Sequence, residues 1–185
     1  ILGSNAHVTV YNAGQIDPIT NQIDRRMTDY VATAERIAAV SGVTRAAPLV
    51  KGQVMANFQN ANAGVEVFGI APEDLMTIPR IAAPIESRGD IRDFANGVAI
   101  GSEVARQLGV TVGDKIRIIS PNGTKTAFGT SPRVSAYDVV YVFTAGRWDI
   151  DKTRIYMPFA EAQSYFNREG LADEFEVMVQ DPENI

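Results

Sequence analysis

Hydrophobic residues follow two different spacings near the start of the chain, and each spacing predicts one kind of element. Apolar and polar residues alternate in HVTVY, residues 7–11, which predicts a strand. Between residues 19 and 40 the apolar residues recur at steps of three and four, which predicts a helix with one buried face that Gly42 caps. That face consists of Ile23, Met27, Tyr30, Val31, Ala34, Ile37 and Ala38.

The remaining pattern is mainly one of short apolar runs that favour strands. Residues 72–97 are rich in Pro, Gly and charge, and they predict a connection between two units. Ser102 is expected to cap a short helix that Gly109 closes. Further strands are predicted at residues 46–58, 65–70, 115–119, 135–143, 153–158 and 175–179, and a further helix at 159–167.

The order of these elements predicts an α+β fold. Without the middle of the chain the order is β-α-β-β followed by α-β, which is the split β-α-β pattern of ferredoxin-like folds. We expect residues 1–75 and 155–185 to form this discontinuous subdomain. Residues 76–154 then form an inserted, β-rich subdomain.

A long polar segment, SPNGTKTAFGTSPR at residues 120–133, separates two predicted strands. Asn122 and Gly123 could close an ordinary type I′ hairpin, yet the chain continues for about ten further residues. Phe128 is the only large apolar residue between Pro121 and Pro132. Segments of this length are often functional, so we expect a protruding finger; the alternative is a surface loop with Phe128 folded back onto the domain.

Composition and charge narrow the class of protein. The chain has 185 residues, 45% of them hydrophobic and 21% charged, which is ordinary for a globular protein. The net charge is −5 without a basic stripe, which argues against nucleic-acid binding. The chain has no Cys, which excludes disulfides, thiol catalysis and Cys-ligated zinc. It also lacks an initiator Met, and we expect it to be an excised domain.

The residues that could carry chemistry do not form a recognisable set. His7 is the only histidine, and the sequence offers no setting for a nucleophile beside it, so a structural role is expected. The acidic residues lack the spacing of a calcium loop and are interpreted as solvated acids near turns. These are Asp149, Asp151, Asp173, Glu174 and Glu176. Trp148 is expected to pack beneath a loop. No catalytic, cofactor-binding or metal-binding residue is predicted.

Four stretches resemble one known family when they are taken in order. They are ILGSNAHVTVYN, VEVFGIAPED, GVAIGSEVARQLGVTVGDKIRIISP and IYMPFAEAQSYF. Together they resemble the periplasmic domain of lipoprotein-releasing ABC transporter permeases of the LolC and LolE type, within a wider group that includes macrolide-exporter-type permeases. The most specific piece is G-x-x-I-G-x-x-x-A-x-x-L-G-x-x-x-G-D-x-I, from Gly97 to Ile116.

The resemblance implies an architecture and a site. The discontinuous unit corresponds to a Porter-type subdomain and the insert to a Sabre-type subdomain, with a Hook-like hairpin at residues 121–132. In LolC-like members this hairpin recruits the soluble periplasmic carrier that takes lipoproteins to the outer membrane. The residues assigned here to carrier recruitment are Pro121, Asn122, Gly123, Lys125, Phe128, Gly129, Pro132 and Arg133.

The resemblance also implies a non-enzymatic transport module. The parent permease would lie in the inner membrane with this domain in the periplasm, and a separate cytoplasmic subunit would hydrolyse ATP. Lipoprotein cargo and a second permease subunit are the other implied partners. One alternative is a macrolide-exporter-like permease domain that binds a periplasmic adaptor, and another is a small periplasmic binding protein or hydrolase.

Overall fold

The computed structural model describes residues 7–16, 18, 21 and 23–183, which form a mixed α/β fold rich in sheet. The strands are β1 Val8–Tyr11, β2 Gln15–Ile16, β3 Ile23–Asp24, β4 Val43–Phe58, β5 Ala61–Ile70, β6 Glu86–Gly89, β7 Val98–Gly101, β8 Lys115–Thr126, β9 Gly129–Thr144, β10 Arg154–Pro158 and β11 Glu174–Val179. The helices are α1 Tyr30–Ala38, α2 Pro72–Leu75, α3 Pro79–Ala82, α4 Ser102–Leu108, α5 Trp148–Thr153 and α6 Phe159–Tyr165, with a 3₁₀ helix at Ile91–Asn96.

The first and last strands lie side by side in an antiparallel sheet with the order β1-β11-β4-β5. Val8 and Val10, in the strand predicted at residues 7–11, share this sheet with the strands predicted at residues 46–58, 65–70 and 175–179. β11 separates β1 from β4, and β4 separates β11 from β5, so two split β-α-β units interlock.

The strand order differs from that of a ferredoxin-like sheet. In such a sheet the first strand pairs with both the third and the fourth strands, whereas β1 pairs, among the described residues, with β11 alone. The reason is that β5 lies on the far side of β4, where it pairs with β10. The sheet therefore continues from β5 into the middle of the chain.

Six strands form a closed ring of pairings. The ring runs from β4 to β5, β10, β7, β9 and β8, and β8 pairs with β4 again. The closing contact joins Met55–Asn57 to Arg117–Ile119. Asn57 supports it, because its Oδ1 accepts from Arg117 Nε at 3.0 Å and its Nδ2 donates to the Ala61 carbonyl at 3.1 Å. A closed ring leaves none of these six strands at a sheet edge over its paired length.

The strands of the ring are buried on two sides over much of their length. Successive residues such as Ile155 and Tyr156 enter different cores, because successive side chains of a strand point to opposite faces. The inner core contains Val54, Val65, Val67, Ile100, Ile116, Ile118, Val139, Ile155 and Met157. The outer core contains Leu49, Phe68, Ile70, Leu75, Ile78, Ile81, Phe94, Tyr141, Phe143 and Tyr156.

The helix predicted between residues 19 and 40 is wrong in its first half. Residues 23–24 form β3, and Met27 N donates to the Ala172 carbonyl at 2.9 Å, so these residues take part in strand-like contacts; residues 19, 20 and 22 lie outside the described part. None of the nine described residues of α1 is fully buried; of the predicted face, Tyr30, Ala34 and Ile37 are half-buried, whereas Val31 and Ala38 are exposed. Of the residues with helical apolar spacing, only those from Tyr30 to Ala38 lie in a helix. Tyr30, the first of them, packs edge-on against the aromatic ring of Phe159.

Residues 72–97 contribute to the core and contain regular elements that were not predicted; their role as a connection between two units stays a prediction. The segment contains α2, α3, β6 and the 3₁₀ helix. Its short apolar groups cover the outside of the ring, and Leu75, Ile81 and Phe94 are fully buried there. Proline begins both α2 and α3, which breaks the chain into elements too short to show a periodicity.

The motif at residues 97–116 forms β7, α4 and the turn into β8. Gly109 ends α4 with a left-handed φ of +71°, as predicted. Gly101 occupies the N-cap position of α4, and Ser102 is the first residue within the helix. No side chain caps this end of α4, so the predicted Ser102 cap is wrong.

Strands on both sides of the predicted boundaries at residues 75/76 and 154/155 contribute to the inner core. β4, β5 and β10 come from one predicted unit, and β7, β8 and β9 come from the other. The division into two subdomains stays a prediction. No helix in the described part of the chain is long and apolar enough to cross a membrane.

The ring predicts where the fold is most sensitive. Ile116 is fully buried in the inner core, so Ile116→Ala should lower the free energy of unfolding by about 2–5 kcal/mol in urea denaturation. Val134, which is 51% exposed on β9, provides the matched control, and Val134→Ala should change it by less than about 0.5 kcal/mol. Equal losses in the two variants would contradict the ring core.

Candidate functional site

The ends of β8 and β9 form the protruding hairpin predicted from the sequence. Pairing resumes after the ring with Thr124 opposite Ser131 and ends with Thr126 opposite Gly129. Ala127 and Phe128 form the two-residue turn between them. Thr126 Oγ1 donates to the Gly129 carbonyl at 2.7 Å and accepts from Phe128 N at 3.3 Å, so the tip is held by its own contacts.

Phe128 is fully exposed at the tip of the hairpin, with a relative exposure of 102%. The phenyl group of Phe128 is therefore not folded back onto the domain. Gly129, next to it, has a φ of +120°, a conformation that favours glycine. The turn thus holds one aromatic side chain out in solvent.

The base of the hairpin is an irregular pair of strands. The register shifts between Ser120 and Thr124, and pairing then continues past Asn122-Gly123 to the turn at Ala127 and Phe128. A Cβ on Gly123 would overlap the Ser131 carbonyl oxygen, so the two strands approach each other closely there. Pro121 and Pro132 are exposed on either side.

The site residues predicted from the sequence are all on this hairpin, but they occupy different positions. Phe128 and Gly129 lie at the tip, and the two prolines and Gly123 lie at the base. Asn122 and Lys125 lie in β8, and their side chains are outside the described part of the structure. The predicted roles of these residues in binding stay predictions.

Arg133 is bonded to helix α6. Its Nη1 donates to the carbonyl oxygens of Ser164 at 2.5 Å and Tyr165 at 2.6 Å. Tyr165 Oη in turn donates to the Ile118 carbonyl at 3.0 Å, and Tyr137 Oη donates to Glu161 Oε1 at 3.2 Å.

Both tyrosines keep their protons at neutral pH. Burial, and then the Glu161 carboxylate, raise the pKa of Tyr137 above its usual value. Burial raises the pKa of Tyr165 to about 12. Both hydroxyls are therefore hydrogen-bond donors between α6 and the strands at the hairpin base.

A groove of about 730 Å³ lies beside the hairpin base, where residues of β4, β5, β8 and α5 line it. Its apolar side chains include Met55, Ile119, Pro121 and Pro132, and its polar end includes Glu66 and Arg154. Met55 and Ile119 were not predicted as site residues, because the sequence pattern indicated only that each lies in a strand. The alternation of Gln53 and Met55 with Val54 and Ala56 was the signal that these side chains point outward.

The candidate residues for chemistry have structural contacts. His7 Nδ1 accepts from Val179 N at 3.1 Å, and buried Asp151 accepts from the amides of Ala145 and Gly146. Glu174 pairs with Lys51 at 3.1 Å, and Glu176 pairs with Arg45 at 3.3 Å. In the described part of the chain, no three His, Asp or Glu residues are grouped to hold a metal ion.

Trp148 is 63% exposed at the start of α5, so the prediction that it packs beneath a loop is wrong. The Lys152 ammonium lies over its ring, 5.2 Å from the centroid. Trp148 is thus at the surface near the polar end of the groove, which Asp149 and Thr153 line.

The whole chain matches one family. The family model of the MacB-like periplasmic core domain matches residues 2–185. The chain belongs to this family. The resemblance found in the sequence is therefore confirmed at the level of the MacB-like group.

The curated relatives of this MacB-like domain include two LolC proteins, each named a lipoprotein-releasing system transmembrane protein. LolC of Neisseria meningitidis serogroup B is 24% identical over 165 residues, which cover 88% of this chain and 40% of LolC. LolC of Xylella fastidiosa is 24% identical over 131 residues, which cover 70% of this chain and 32% of LolC. The chain spans about two fifths of the first of these relatives.

Two solved structures share the fold of the MacB-like domain. The extracellular domain of the noncanonic ABC-type transporter YknZ from Gram-positive bacteria has a TM-score of 0.56 and 16% identity, over 96% of this chain and 87% of that chain. The periplasmic region of MacB from Actinobacillus actinomycetemcomitans has a TM-score of 0.57 and 9% identity, over 94% of this chain and 74% of that chain.

The close approach at Gly123 can be tested in the MacB-like domain by substitution. Gly123→Ala should disturb the pairing of the hairpin strands and raise the rate of amide hydrogen exchange at residues 129–131, because the new Cβ overlaps the Ser131 carbonyl. Gly64 is the control, since a Cβ there meets no atom within 4 Å. Unchanged exchange in Gly123→Ala would show that the strands are farther apart.

Proposed function

We propose that this domain belongs to an inner-membrane ABC transporter permease that releases lipoproteins and hands them to a soluble periplasmic carrier. The hairpin at residues 121–132 recruits the carrier, and Phe128 is its anchor. The observation that carries the proposal is the complete exposure of Phe128 on a hydrogen-bonded turn at the tip of the hairpin. Lipoprotein release is proposed as the transport function because the LolC relatives are named lipoprotein-releasing system proteins.

An exposed aromatic ring is a suitable anchor for a protein partner. Burying a Phe ring removes a large apolar area from water, and such residues dominate the binding energy of interfaces. A hairpin that already has its bound shape also loses little conformational freedom on binding. Phe128 combines both properties, because its turn is fixed by Thr126 and Gly129.

The remaining hairpin residues support this surface in the proposal. Proline lacks an amide donor, so Pro121 and Pro132 discourage further strand pairing at the exposed base. Gly123 and Gly129 allow the close approach and the turn. Asn122 and Lys125 lie between base and tip and are proposed to contact the carrier.

The proposal extends to the parent protein. β1 and β11 are antiparallel neighbours, and His7 N donates to the Val177 carbonyl at 3.1 Å. Segments that precede β1 and follow β11 would therefore leave the domain at one edge, which suits two neighbouring membrane spans. A cytoplasmic ATPase subunit, a second permease subunit and the lipoprotein cargo complete the proposed system. This domain itself is not an enzyme.

We also propose that residues 1–75 and 155–185 correspond to a Porter-type subdomain and residues 76–154 to a Sabre-type subdomain. The interlocked β-α-β units fall in the first and the hairpin falls in the second. The closed ring would then be the region where the two units join.

A second candidate is a macrolide-exporter-like permease domain that binds a periplasmic adaptor. The similarity of fold to the periplasmic region of MacB favours it. A small binding protein or hydrolase has less support, because the acidic and histidine candidates named from the sequence make structural contacts.

The direct test is a titration of the soluble periplasmic lipoprotein carrier onto the domain. Phe128→Ala should weaken binding by on the order of 2 kcal/mol or more, which is about 30-fold in Kd. Deletion of residues 122–131 should weaken it further. Thermal melts should barely change, because a protruding hairpin contributes little to the core.

Ile85→Ala is the matched control, since Ile85 is also a large exposed residue, at 67%, but lies before β6. It should bind the carrier like the unaltered domain. Equal affinity of Phe128→Ala and the unaltered domain would refute the recruiting role. Binding of an adaptor protein through Phe128, with no binding of the carrier, would select the second candidate.

A further inference from the structure

Helix α6 touches both strands at the base of the hairpin. Arg133, on β9, bonds the carbonyls of Ser164 and Tyr165. Tyr165 Oη lies 3.0 Å from the Ile118 carbonyl on β8 and 3.3 Å from the Arg133 carbonyl on β9. These contacts fall just before the register shift at Ser120, where regular pairing ends.

The Arg133 contact has a clear physical basis. The last carbonyls of a helix have no partner within the helix, and a cation at this end also interacts favourably with the helix dipole. Arg133 supplies both the donor and the charge from a different element. Arg133 at the hairpin base therefore provides hydrogen-bond donors to the carbonyls at the C-terminal end of α6.

Tyr137 adds a second point of attachment four residues along β9. Its hydroxyl reaches Glu161 in the first turn of α6, while Arg133 reaches the last turn. Tyr137 also packs edge-on against Tyr165, with ring centroids 6.3 Å apart. Because Tyr137 pairs with Ile116 within the ring, its bond to Glu161 holds α6 against the ring, and Arg133 then joins the hairpin base to a fixed helix.

We infer that Arg133, with Tyr137 and Tyr165, positions the hairpin by bracing its base against α6. This inference rests on the proposed function and assigns Arg133 a role different from carrier contact. A domain in which the hairpin points in one direction presents Phe128 to the carrier in a competent state. Loss of the brace lets the hairpin move at the register shift, so only a fraction of molecules is competent and the apparent Kd rises by the inverse of that fraction.

The hairpin direction can be measured without a carrier. The chain has no native Cys, so Thr130→Cys on the hairpin and Ala160→Cys on α6, both exposed, take spin labels at two defined positions. Pulsed electron paramagnetic resonance should give one narrow distribution of distances between the two labels in the otherwise unaltered domain. Arg133→Gln should broaden it, because the charge and the fork of donors are lost.

Arg88→Gln is the matched control. Arg88 is an exposed arginine on β6, opposite Val142 at the far end of β9. The distance distribution of Arg88→Gln should stay narrow. The distribution of Arg133→Lys should have a width between those of Arg133→Gln and the unaltered domain. If Arg133→Gln does not fold, Tyr137→Phe provides the same test, since it removes one hydroxyl only. An unchanged distribution in the folded variant would overturn the brace.

Carrier binding separates positioning from contact. With the brace lost, the association rate constant should fall about three- to tenfold, while the dissociation rate constant should stay within about twofold, because the bound contacts are intact. Faster dissociation with an unchanged distance distribution would show that Arg133 contacts the carrier and would overturn the inference. If Phe128→Ala binds normally while Arg133→Gln broadens the distribution, the brace stands and the recruiting role fails.

Discussion

The pairing of β8 with both β4 and β9 is the contact on which the rest of the structure depends. It joins a strand from the middle of the chain to a strand near its start and closes the six-stranded ring. Without it, the inner faces of β4, β5 and β10 would have no opposite wall. The buried side chains of the inner core would then lose the packing that gives the domain its stability.

Ring closure also determines what the hairpin can do. β8 and β9 are fixed within the ring up to Ser120, so their extensions leave it from a firm base. Beyond that point the strands carry polar residues and prolines, and they add no large apolar side chain until Phe128. Rigidity at the base and exposure at the tip are therefore two consequences of one arrangement. This combination makes the hairpin the best candidate for a partner-binding surface.

The sequence was informative where a local pattern matched a local structure. Alternation predicted β1, a short apolar run predicted the first part of β8, Gly109 predicted the end of α4, and the length of the segment after Asn122 predicted the hairpin. Each of these depends on neighbouring residues alone, because turn chemistry and the strand period act over a few positions.

The features that could not be predicted from the sequence depend on contacts between residues far apart in the chain. Nothing in residues 55–57 indicates that they meet residues 117–119, because strand partners are chosen by packing across the fold. Met27 matched a helical spacing, yet its backbone pairs with Ala172. The brace was missed for the same reason, since Arg133 and Tyr165 are 32 residues apart in the chain.

The inner core of the ring is a single cooperative unit to which strands of both predicted subdomains contribute. Native-state hydrogen exchange of the 185-residue chain can show this cooperativity. We expect buried amides of β4 and β10 to exchange through the same opening, with the same free energy, as those of β8 and β9 within the ring. Amides at residues 124–130 should exchange much faster. A separate, lower-energy opening confined to residues 76–154 would contradict the claim.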